Sequence, residues 1–334
     1  MGMDPSTGIH PFLPPKLPKA ERGGGWIFNL VKSVVLGPTV ALVRLLGIGA
    51  AAVLERACTG AACLIPIAKI RHKWLSLSRM ILCRLVLLFS GFLWIDSRIV
   101  TLKKGRQTAV QSPKKSAVSS GDIIISNHTS YIDILYLTYR FNPVFVQIDN
   151  ATHYVKPMSP WEAFFSAGTP PPALLQANEA KSLSSITDEA RQNGTGPVVV
   201  FPENTTSNGK ALISFVPLFS NPENEDIDSK LHLIYLSYPA WLFSPTLTVG
   251  NRFLHFLKLL CQFYNVLKVR ELAAAECPGF ESAEPSASDI SSSNDPVDMD
   301  SQIASTFIHL SRLRSTKLTA LDKRDFLNYY STHH

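Results

Sequence analysis

The sequence predicts an α/β fold in which helices cover a largely parallel sheet, preceded by N-terminal helices that associate with a membrane. Strand-like and helix-like segments alternate after residue 120, whereas the first third of the chain combines long apolar runs with basic residues. The 334 residues are 46% hydrophobic and 17% charged, and a soluble domain usually carries about a quarter charged residues. The low charge favours contact with lipid over an ordinary soluble surface.

The alternation is visible in short apolar runs rich in β-branched and aromatic residues. Four of these runs predict buried strands: Asp122–Ser126, Val144–Ile148, Pro197–Phe201 and Leu231–Tyr238. Two segments between them have helical periodicity, Tyr131–Phe141 and Ser182–Arg191. Strands that alternate with helices indicate a parallel sheet that is covered on both faces.

Three apolar segments near the N-terminus are candidates for membrane contact. Ser33–Leu54 is 22 residues long with one charge, Arg44, at its middle, and the shorter runs are Ala57–Ala68 and Trp74–Ile95. A spanning helix needs about 20 apolar residues, and a central arginine costs about 2.5–3.5 kcal/mol. We expect Ser33–Leu54 to be able to span and the other two to lie in the interface or form a re-entrant hairpin. The alternative is that all three are core helices of a soluble domain.

The charge is distributed unevenly along the chain. Residues 1–120 carry 17 Lys/Arg against 4 Asp/Glu, a net of +13, and residues 121–334 carry 15 against 22, a net of −7. Because the basic residues are interleaved with apolar runs, an anionic membrane face fits better than nucleic acid, which we do not expect as a partner. The five cysteines form no CxxC pair and have no His partner at zinc spacing, so we expect neither a disulfide framework nor a metal site. Their odd number favours a reducing, cytosol-facing environment.

These patterns divide the chain into five predicted parts. Residues 1–25, rich in proline and ending in three glycines, are expected to be a disordered leader, and residues 26–100 a membrane-associated helical region. The α/β domain is predicted at 101–270. An acidic Ser/Pro-rich insertion at 271–300 is expected to be disordered, and helical periodicity returns at 301–334.

His128 and Asp133 are the first candidates for chemistry. His128 follows a predicted strand and precedes a predicted helix, so its side chain is expected at the carboxyl edge of the sheet. If the helix begins near Ser130, His128 can fold back towards Asp133, whose carboxylate would fix the imidazole tautomer. The alternative is a helix N-terminus in which Ser130 caps and Asp133 completes a capping box. The spacing alone does not decide between them.

A second polar element lies between Val198 and Phe219, "VVVFPENTTSNGKALISFVPLF". A loop rich in hydroxyls, backbone amides and one lysine can hold a phosphate, and Glu203 can accept a hydrogen bond from a sugar or glycerol hydroxyl. The alternative is a polar hairpin that turns at Asn208-Gly209.

The ordered set "NHTSYID", "FPENTTSNG" and "FVP" resembles the glycerolipid (PlsC-like) acyltransferase family over roughly residues 120–240. The Thr-Thr-Ser-Asn-Gly run is most similar to the branch with fungal lysophosphatidic acid acyltransferases and lysophosphatidylcholine acyltransferases. The closing "LDKRDFLNYY" also looks like the fungal members. Each motif alone is unspecific, whereas the ordered combination is typical of this family.

The resemblance implies acyl transfer from acyl-CoA, as co-substrate, to a lysophospholipid, first of all lysophosphatidic acid, without a metal or another cofactor. His128 would be the general base and Asp133 would orient it, with the substrate hydroxyl as nucleophile. Val216-Pro217 would shape the acyl or CoA side, and the preceding loop would hold the glycerol phosphate. The implied substrate-binding residues are Glu203, Asn204, Thr205, Thr206, Ser207, Asn208, Gly209, Lys210 and Pro217.

Two departures from the family pattern fall inside the second motif. Asn204 replaces the usual glycine, and asparagine tolerates left-handed backbone geometry next best. Thr206 stands where classical members carry an arginine for phosphate. Lys210 would have to substitute as a point charge without the bidentate fork of arginine.

The third departure concerns the family's middle motif, which contains a glycine and an arginine. Trp161–Ala177 offers Gly168 but no arginine, and the nearest cations are Lys156 and Lys181. The head group of the acceptor is therefore left open between lysophosphatidic acid, lysophosphatidylcholine and other lysophospholipids.

The expected location is the endoplasmic reticulum membrane or a lipid droplet, with the catalytic domain facing the cytosol and membrane lipids as partners. Two rival functions remain open. One is a CoA-independent transacylase that exchanges chains between phospholipids through the same residue pair. The other is a catalytically silent lipid-binding or trafficking protein, which Asn204 and the missing arginine would favour.

Overall fold

The computed structural model describes residues 10–15, 36–102, 117–169, 180–220, 222–224, 227, 229–240, 243–279 and 298–333. Within these residues the strands are β1 (Ile95–Val100), β2 (Ile123–Ser126), β3 (Val144–Ile148), β4 (Val155–Met158), β5 (Val198–Val200), β6 (Leu231–Ser237) and β7 (Leu267–Leu272). The helices are α1 (Gly37–Ala62), α2 (Ala68–Phe89), α3 (Tyr131–Phe141), α4 (Pro160–Ser166), α5 (Leu183–Asn193), α6 (Arg252–Leu260), α7 (Met299–Ser311) and α8 (Ala320–His333).

The seven described strands form one sheet in the order β1-β7-β6-β2-β5-β3-β4. The central strands β6, β2, β5 and β3 pair in parallel, whereas β4 runs antiparallel to β3 and β7 antiparallel to β6. The predicted α/β class with a largely parallel sheet is confirmed. The four strands predicted from the sequence are the four central ones, with ends that differ by at most one residue.

The side chains of β2 show why the central strands are apolar throughout. Ile124 packs on the face covered by α2 and α3, where it meets residues such as Leu87 and Leu135. Ile123 and Ile125 pack on the opposite face, which α5 and α7 cover. Because both faces are buried, the strand reads as a continuous apolar run.

Helices α1 and α2 form a hairpin, so the N-terminal region contains two long helices where three apolar segments were predicted. Helix α1 continues to Ala62, so the first half of the run Ala57–Ala68 belongs to it, and the turn lies between α1 and α2. Only 17% of the most apolar 18-residue window of α1 is buried. The helix is long and apolar enough to cross a membrane. One side of the hairpin packs on the sheet domain through Leu82 and Leu87, so the hairpin is partly a core element.

Arg44, in the middle of α1, forms hydrogen bonds with the backbone of the sheet domain. Its guanidinium donates to the carbonyl oxygens of Leu260 at 2.9 Å and Phe263 at 2.7 Å, and also to that of Gln262. These carbonyls belong to the last turn of α6 and the residues after it, where backbone acceptors lack intrahelical donors. Arg44 therefore attaches α1 to the sheet domain.

Two expected disordered segments are more ordered than predicted at their edges. Phe12 is fully buried and packs against Ile213 and Phe326, so the expectation that residues 1–25 have no core to bury is wrong for residues 10–15. Strand β7 extends to Leu272, and α7 begins at Met299, so the insertion is shorter than 271–300. The rest of both expectations, residues 1–9, 16–25 and 280–297, lies outside the described residues.

We expect Arg44→Leu to lower the melting temperature of the detergent-solubilised protein by about 10 °C. The variant loses three hydrogen bonds from a charged donor, and bonds of this type contribute roughly 1.5–3 kcal/mol each. Thermal unfolding measures the change. Arg56→Leu on the same helix is the control, because the Arg56 side chain is 84% exposed. Equal melting temperatures for the two variants would contradict the attachment.

Candidate active site

His128 lies in the loop between β2 and α3, at the carboxyl edge of the parallel strands. The preceding residue, Asn127, fixes the start of this loop. Its side-chain amide donates to the carbonyl of Leu236 at 2.9 Å, and its Oδ1 accepts from the N–H of Leu236 at 2.8 Å. The loop is thereby attached to the end of β6.

Asp133 is fully buried and accepts hydrogen bonds from several groups around it. Its Oδ2 accepts from the N–H groups of Thr129 at 2.6 Å and Ser130 at 2.8 Å, and lies 3.3 Å from Nδ1 of His128. Its Oδ1 accepts from the hydroxyl of Tyr238 at 2.5 Å. Four donors on two different elements therefore determine the position of this carboxylate.

Both contacts expected of Asp133 are present, the capping box of α3 and the approach to His128. Ser130 is the N-cap of α3, its side chain accepts from the N–H of Ile132 at 3.2 Å, and Asp133 completes a capping box. The same carboxylate oxygen that accepts from the Ser130 amide faces the imidazole of His128. Capping fixes the carboxylate against the first turn, which is the position from which it can orient His128.

The imidazole of His128 is held between Asp133 and Phe201. Its ring stacks on Phe201 with a centroid separation of 4.4 Å and an interplanar angle of 20°. Because Nδ1 faces the carboxylate, Nε2 is the nitrogen that can accept a proton. His128 also lines a cavity of about 50 Å³ together with Met158 and Ala163.

Glu203 connects the two loops of the site. Its side chain is fully buried, with Oε1 accepting from the N–H of Ile213 at 2.9 Å and Oε2 from the N–H of His128 at 3.4 Å. Burial raises the pKa of Glu203 to about 8. Both oxygens therefore have backbone partners, and the expected contact with a substrate hydroxyl stays a prediction.

Asn204 adopts the left-handed geometry that the family's glycine would permit, with φ of +48°. Its side-chain amide donates to the carbonyl of Ile148 at 2.7 Å and to Oδ1 of Asn150 at 3.1 Å. The turn survives the replacement of glycine. The side chain is engaged with the end of β3, so it anchors the turn to the sheet.

Thr205 and Thr206 line the cavity that contains His128, and they differ in their partners. The buried hydroxyl of Thr205 has no hydrogen-bond partner among the residues that the structure describes. Thr206 accepts from Nζ of Lys323 through both its carbonyl, at 2.6 Å, and its hydroxyl, at 2.5 Å. At the position where the family carries an arginine, a lysine from α8 therefore supplies a cation.

The end of the loop faces other parts of the molecule. Ser207 donates its N–H to the carbonyl of His128 at 3.0 Å. The side chain of Asn208 donates to the carbonyls of His10 and Leu13, both near 3.0 Å. Gly209 has φ of +67°. Instead of the alternative hairpin, the segment after this turn pairs with the C-terminal region through a bridge between Leu212 and Ser315.

Lys210 and Pro217 are not brought to His128. Lys210 lines a separate cavity beside Thr129 and Gly209. Pro217 is exposed and lines a third cavity with Asp298 and Asp300. The proposed assignment of Val216-Pro217 to the acyl or CoA side therefore has no support from its position.

The segment expected to hold the middle motif contributes a glycine to the site. Gly168 has φ of +81°, and a Cβ there would lie 2.8 Å from Cδ2 of Leu247. It lines the same cavity as His128. The two cations nearest to it in the sequence, Lys156 and Lys181, are not among the residues lining that cavity. Lys181 instead pairs with Glu189 at 2.9 Å.

Tyr238 and Lys323 are site residues that the sequence reasoning missed. Tyr238 directly follows β6, and the carboxyl end of a parallel strand was a signal for it. The sequence signal for Lys323 was its spacing, because it lies three residues from both Ala320 and Phe326, on one side of a helix. All three residues are buried. Burial lowers the pKa of Lys323 to about 7, and the nearby Glu203 carboxylate opposes this.

Comparisons with known proteins identify the family of this chain. A family model described as Acyltransferase matches residues 107–219. The chain is 31% identical over 237 residues to a Schizosaccharomyces pombe protein named "putative lysophosphatidic acid:oleoyl-CoA acyltransferase", covering 70% of this chain and 71% of that one. The chain belongs to the acyltransferase family, and the predicted PlsC-like resemblance is confirmed.

Two Arabidopsis thaliana proteins match less completely. Lysophospholipid acyltransferase LPEAT1 is 29% identical over 57% of this chain and 50% of its own length. LPEAT2 is 25% identical over 58% of this chain and 34% of its own length. The crystal structure of the 1-acyl-sn-glycerophosphate (LPA) acyltransferase PlsC from Thermotoga maritima aligns with a TM-score of 0.39 at 13% identity, over 81% of this chain and 94% of that one.

We expect Glu203→Gln to change how stability depends on pH. Because burial raises the pKa of Glu203 from 4.5 to about 8, its contribution to stability is complete below pH 4.5 and is lost as the pH rises through 8. The melting temperature of the wild type minus that of the variant should therefore fall between pH 5 and 8.5. Glu189→Gln is the control, since its side chain is 55% exposed. A Glu203→Gln difference that stays constant would contradict the assignment.

We expect Lys323→Met to loosen the loop that contains Thr206 without unfolding the protein. The variant keeps the length of the side chain but loses both hydrogen bonds to Thr206. Amide hydrogen exchange across residues 204–208 should accelerate about tenfold, which corresponds to about 1.4 kcal/mol. Lys317→Met, at an exposed position before α8, is the control. Unchanged exchange in Lys323→Met would show that the lysine does not hold the loop.

Proposed function

We propose that this protein transfers an acyl group from acyl-CoA to the free hydroxyl of a lysophospholipid, first of all lysophosphatidic acid to give phosphatidic acid. The observation that carries the proposal is the His128–Asp133 pair. Its carboxylate is held by three further donors, and its imidazole lines a cavity next to the Thr205–Thr206 loop. The names of the fungal and plant relatives support the substrate class.

In the proposed reaction, Nε2 of His128 takes the proton of the acceptor hydroxyl while the oxygen attacks the thioester carbonyl. The carbon–sulfur bond breaks, an ester bond forms, and the proton passes from the imidazolium to the departing CoA thiolate. Asp133 stabilises the imidazolium, and its partners keep it oriented throughout. The acyl group passes directly to the acceptor, so the enzyme itself forms no covalent intermediate.

Thr205 is the proposed contact for the reacting end of the substrate. Buried hydroxyls nearly always have a hydrogen-bond partner, and this one has none within the described part of the chain. It shares the cavity with His128 and with the apolar side chains of Met158 and Phe201. A polar substrate atom at Thr205 with an acyl segment against the apolar wall would satisfy both surfaces.

The exposed face of the α1–α2 hairpin supports attachment to a membrane. Leu64, Ile67 and Trp74 are 84%, 55% and 42% exposed around the turn, and the basic segment Lys69–Lys73 is exposed beside them. Apolar side chains next to cations fit an anionic lipid surface. We propose a location on the endoplasmic reticulum membrane or lipid droplets, with the α/β domain in the cytosol.

The test is an assay of detergent-solubilised protein with labelled oleoyl-CoA and a panel of lysophospholipids. We expect wild-type protein to form product and His128→Ala to lose roughly 10²–10⁴-fold in rate, the usual contribution of a general base. His309→Ala, at an exposed position on α7, is the control and should retain full activity.

Two outcomes would favour the rival functions. Product from a phospholipid donor in the absence of CoA would assign a transacylase that uses the same pair. If folded wild-type protein gave no product with any donor or acceptor but bound lysophospholipid, the silent lipid-binding function would replace the proposed one.

A further inference from the structure

A second cavity, of about 680 Å³, lies beside the His128–Asp133 pair and has no assigned role. Three cationic side chains line it, Lys210, Lys268 and Arg270, and no carboxylate does so among the described residues. We call it the basic cavity. Lys268 and Arg270 lie on β7, outside residues 107–219 that the family model matches.

The sheet topology brings these cations to the site. Strand β7 runs antiparallel to β6, with Lys268 opposite Ser237 and Arg270 opposite Tyr235. The start of β7 therefore lies at the edge where the parallel strands β2 and β6 end. Side chains two residues apart on a strand share a face, so Lys268 and Arg270 point to the same side. Lys210 joins them from the loop.

The three cations of the basic cavity have no ion-pair partner among the described residues. None of them lies within 4.0 Å of an Asp or Glu oxygen there. The carboxylate opposite Lys268 in the sheet, that of Asp96, accepts from Arg98 at 2.9 Å and acts on Lys268 only at longer range. A concave surface with an excess of positive charge attracts and binds anions.

Arg270 is held in place independently of any ligand. Its guanidinium lies over the ring of Tyr235, 5.8 Å from the centroid. It also contacts the carbonyls of Leu310 and Ser311 at the end of α7, at 3.4 and 3.5 Å. Lys268, by contrast, is exposed, and its ammonium makes no such contact within the described residues.

The basic cavity adjoins the reacting groups. Thr129 and Tyr238 both line it, and both donate a hydrogen bond to Asp133. His128 itself lines the smaller cavity on its other side. A molecule anchored in the basic cavity would therefore approach the pair from the side of Asp133.

We propose that the basic cavity binds the phosphorylated nucleotide end of acyl-CoA, an inference that rests on the proposed function. Three cations from two elements fit a ligand with several phosphates, and CoA carries a pyrophosphate and a 3′-phosphate. A lysophospholipid such as lysophosphatidic acid brings one phosphate. Cations in fixed positions bind phosphate oxygens through charge-assisted hydrogen bonds.

This assignment changes the interpretation of Lys210. From its position in the sequence, Lys210 was expected to replace the missing arginine and bind the acceptor phosphate. It shares a cavity with Lys268 and not with His128. Lys210 therefore belongs to the donor site, and the cation at the position of the missing arginine is Lys323, which acts through Thr206.

The test measures binding of CoA, without an acyl chain, by calorimetry to the full-length protein in detergent. We expect Lys268→Gln to weaken CoA about tenfold, or about 1.4 kcal/mol, and to leave lysophosphatidic acid binding unchanged. Lys230→Gln is the control, because Lys230 is exposed just before β6, at the opposite end of that strand. In the acylation assay, Lys268→Gln should raise the KM for oleoyl-CoA with little change in kcat.

Two binding results overturn the proposal. A loss confined to lysophosphatidic acid binding would assign the basic cavity to the acceptor, and unchanged binding of both would leave it without a phosphate ligand. The binding measurement does not depend on turnover, so it separates the cavity assignment from the proposed function. Normal acylation by Lys268→Gln with unchanged CoA binding would refute the cavity assignment alone. If the wild type gave no acylation while Lys268→Gln still weakened CoA binding, the proposed function alone would be refuted.

Discussion

The buried carboxylate of Asp133 is the group on which the site depends. It joins the first turn of α3, the loop after β2 and the residue that follows β6, through Ser130, Thr129 and Tyr238. A buried charge without hydrogen bonds is strongly unfavourable, so these donors are required for the carboxylate to lie there at all. The orientation of His128 then follows from the same set of contacts, since its Nδ1 is one more group facing Oδ2.

A second pair of buried ionisable groups supports the opposite wall of the site. Glu203 connects the backbone of His128 to that of Ile213, and Lys323 connects α8 to Thr206. Burial moves the two pKa values towards each other, to about 8 and about 7. The loop between Glu203 and Thr206 is therefore held from both sides by groups whose charge changes near neutral pH. Since neither carboxylate nor ammonium is exposed, both act by positioning the loop.

The sequence predicted the parallel centre of the sheet, because β2 and β5 bury both faces and read as continuous apolar runs. It did not predict β1, β4 or β7. Strand β4 lies at the sheet edge and contains Pro157, which suits an edge position but reads as a turn signal. The contact between His128 and Asp133 was predicted from the ordered set of motifs together with the position between strand and helix, because the spacing alone did not decide it. Lys323 was not assigned, since its contact with Thr206 joins residues 117 positions apart.

The departures from the family pattern are connected through this long-range packing. Asn204 keeps the left-handed turn, and its side chain donates a hydrogen bond to the carbonyl of Ile148 at the end of β3. Thr206 stands where the family carries an arginine, and Lys323 on α8 donates a hydrogen bond to this threonine. An arginine at position 206 would meet this ammonium, so like charges would be buried together at high cost. The threonine and the buried lysine therefore depend on each other. The C-terminal helix is consequently part of the site, although the family model matches only residues 107–219.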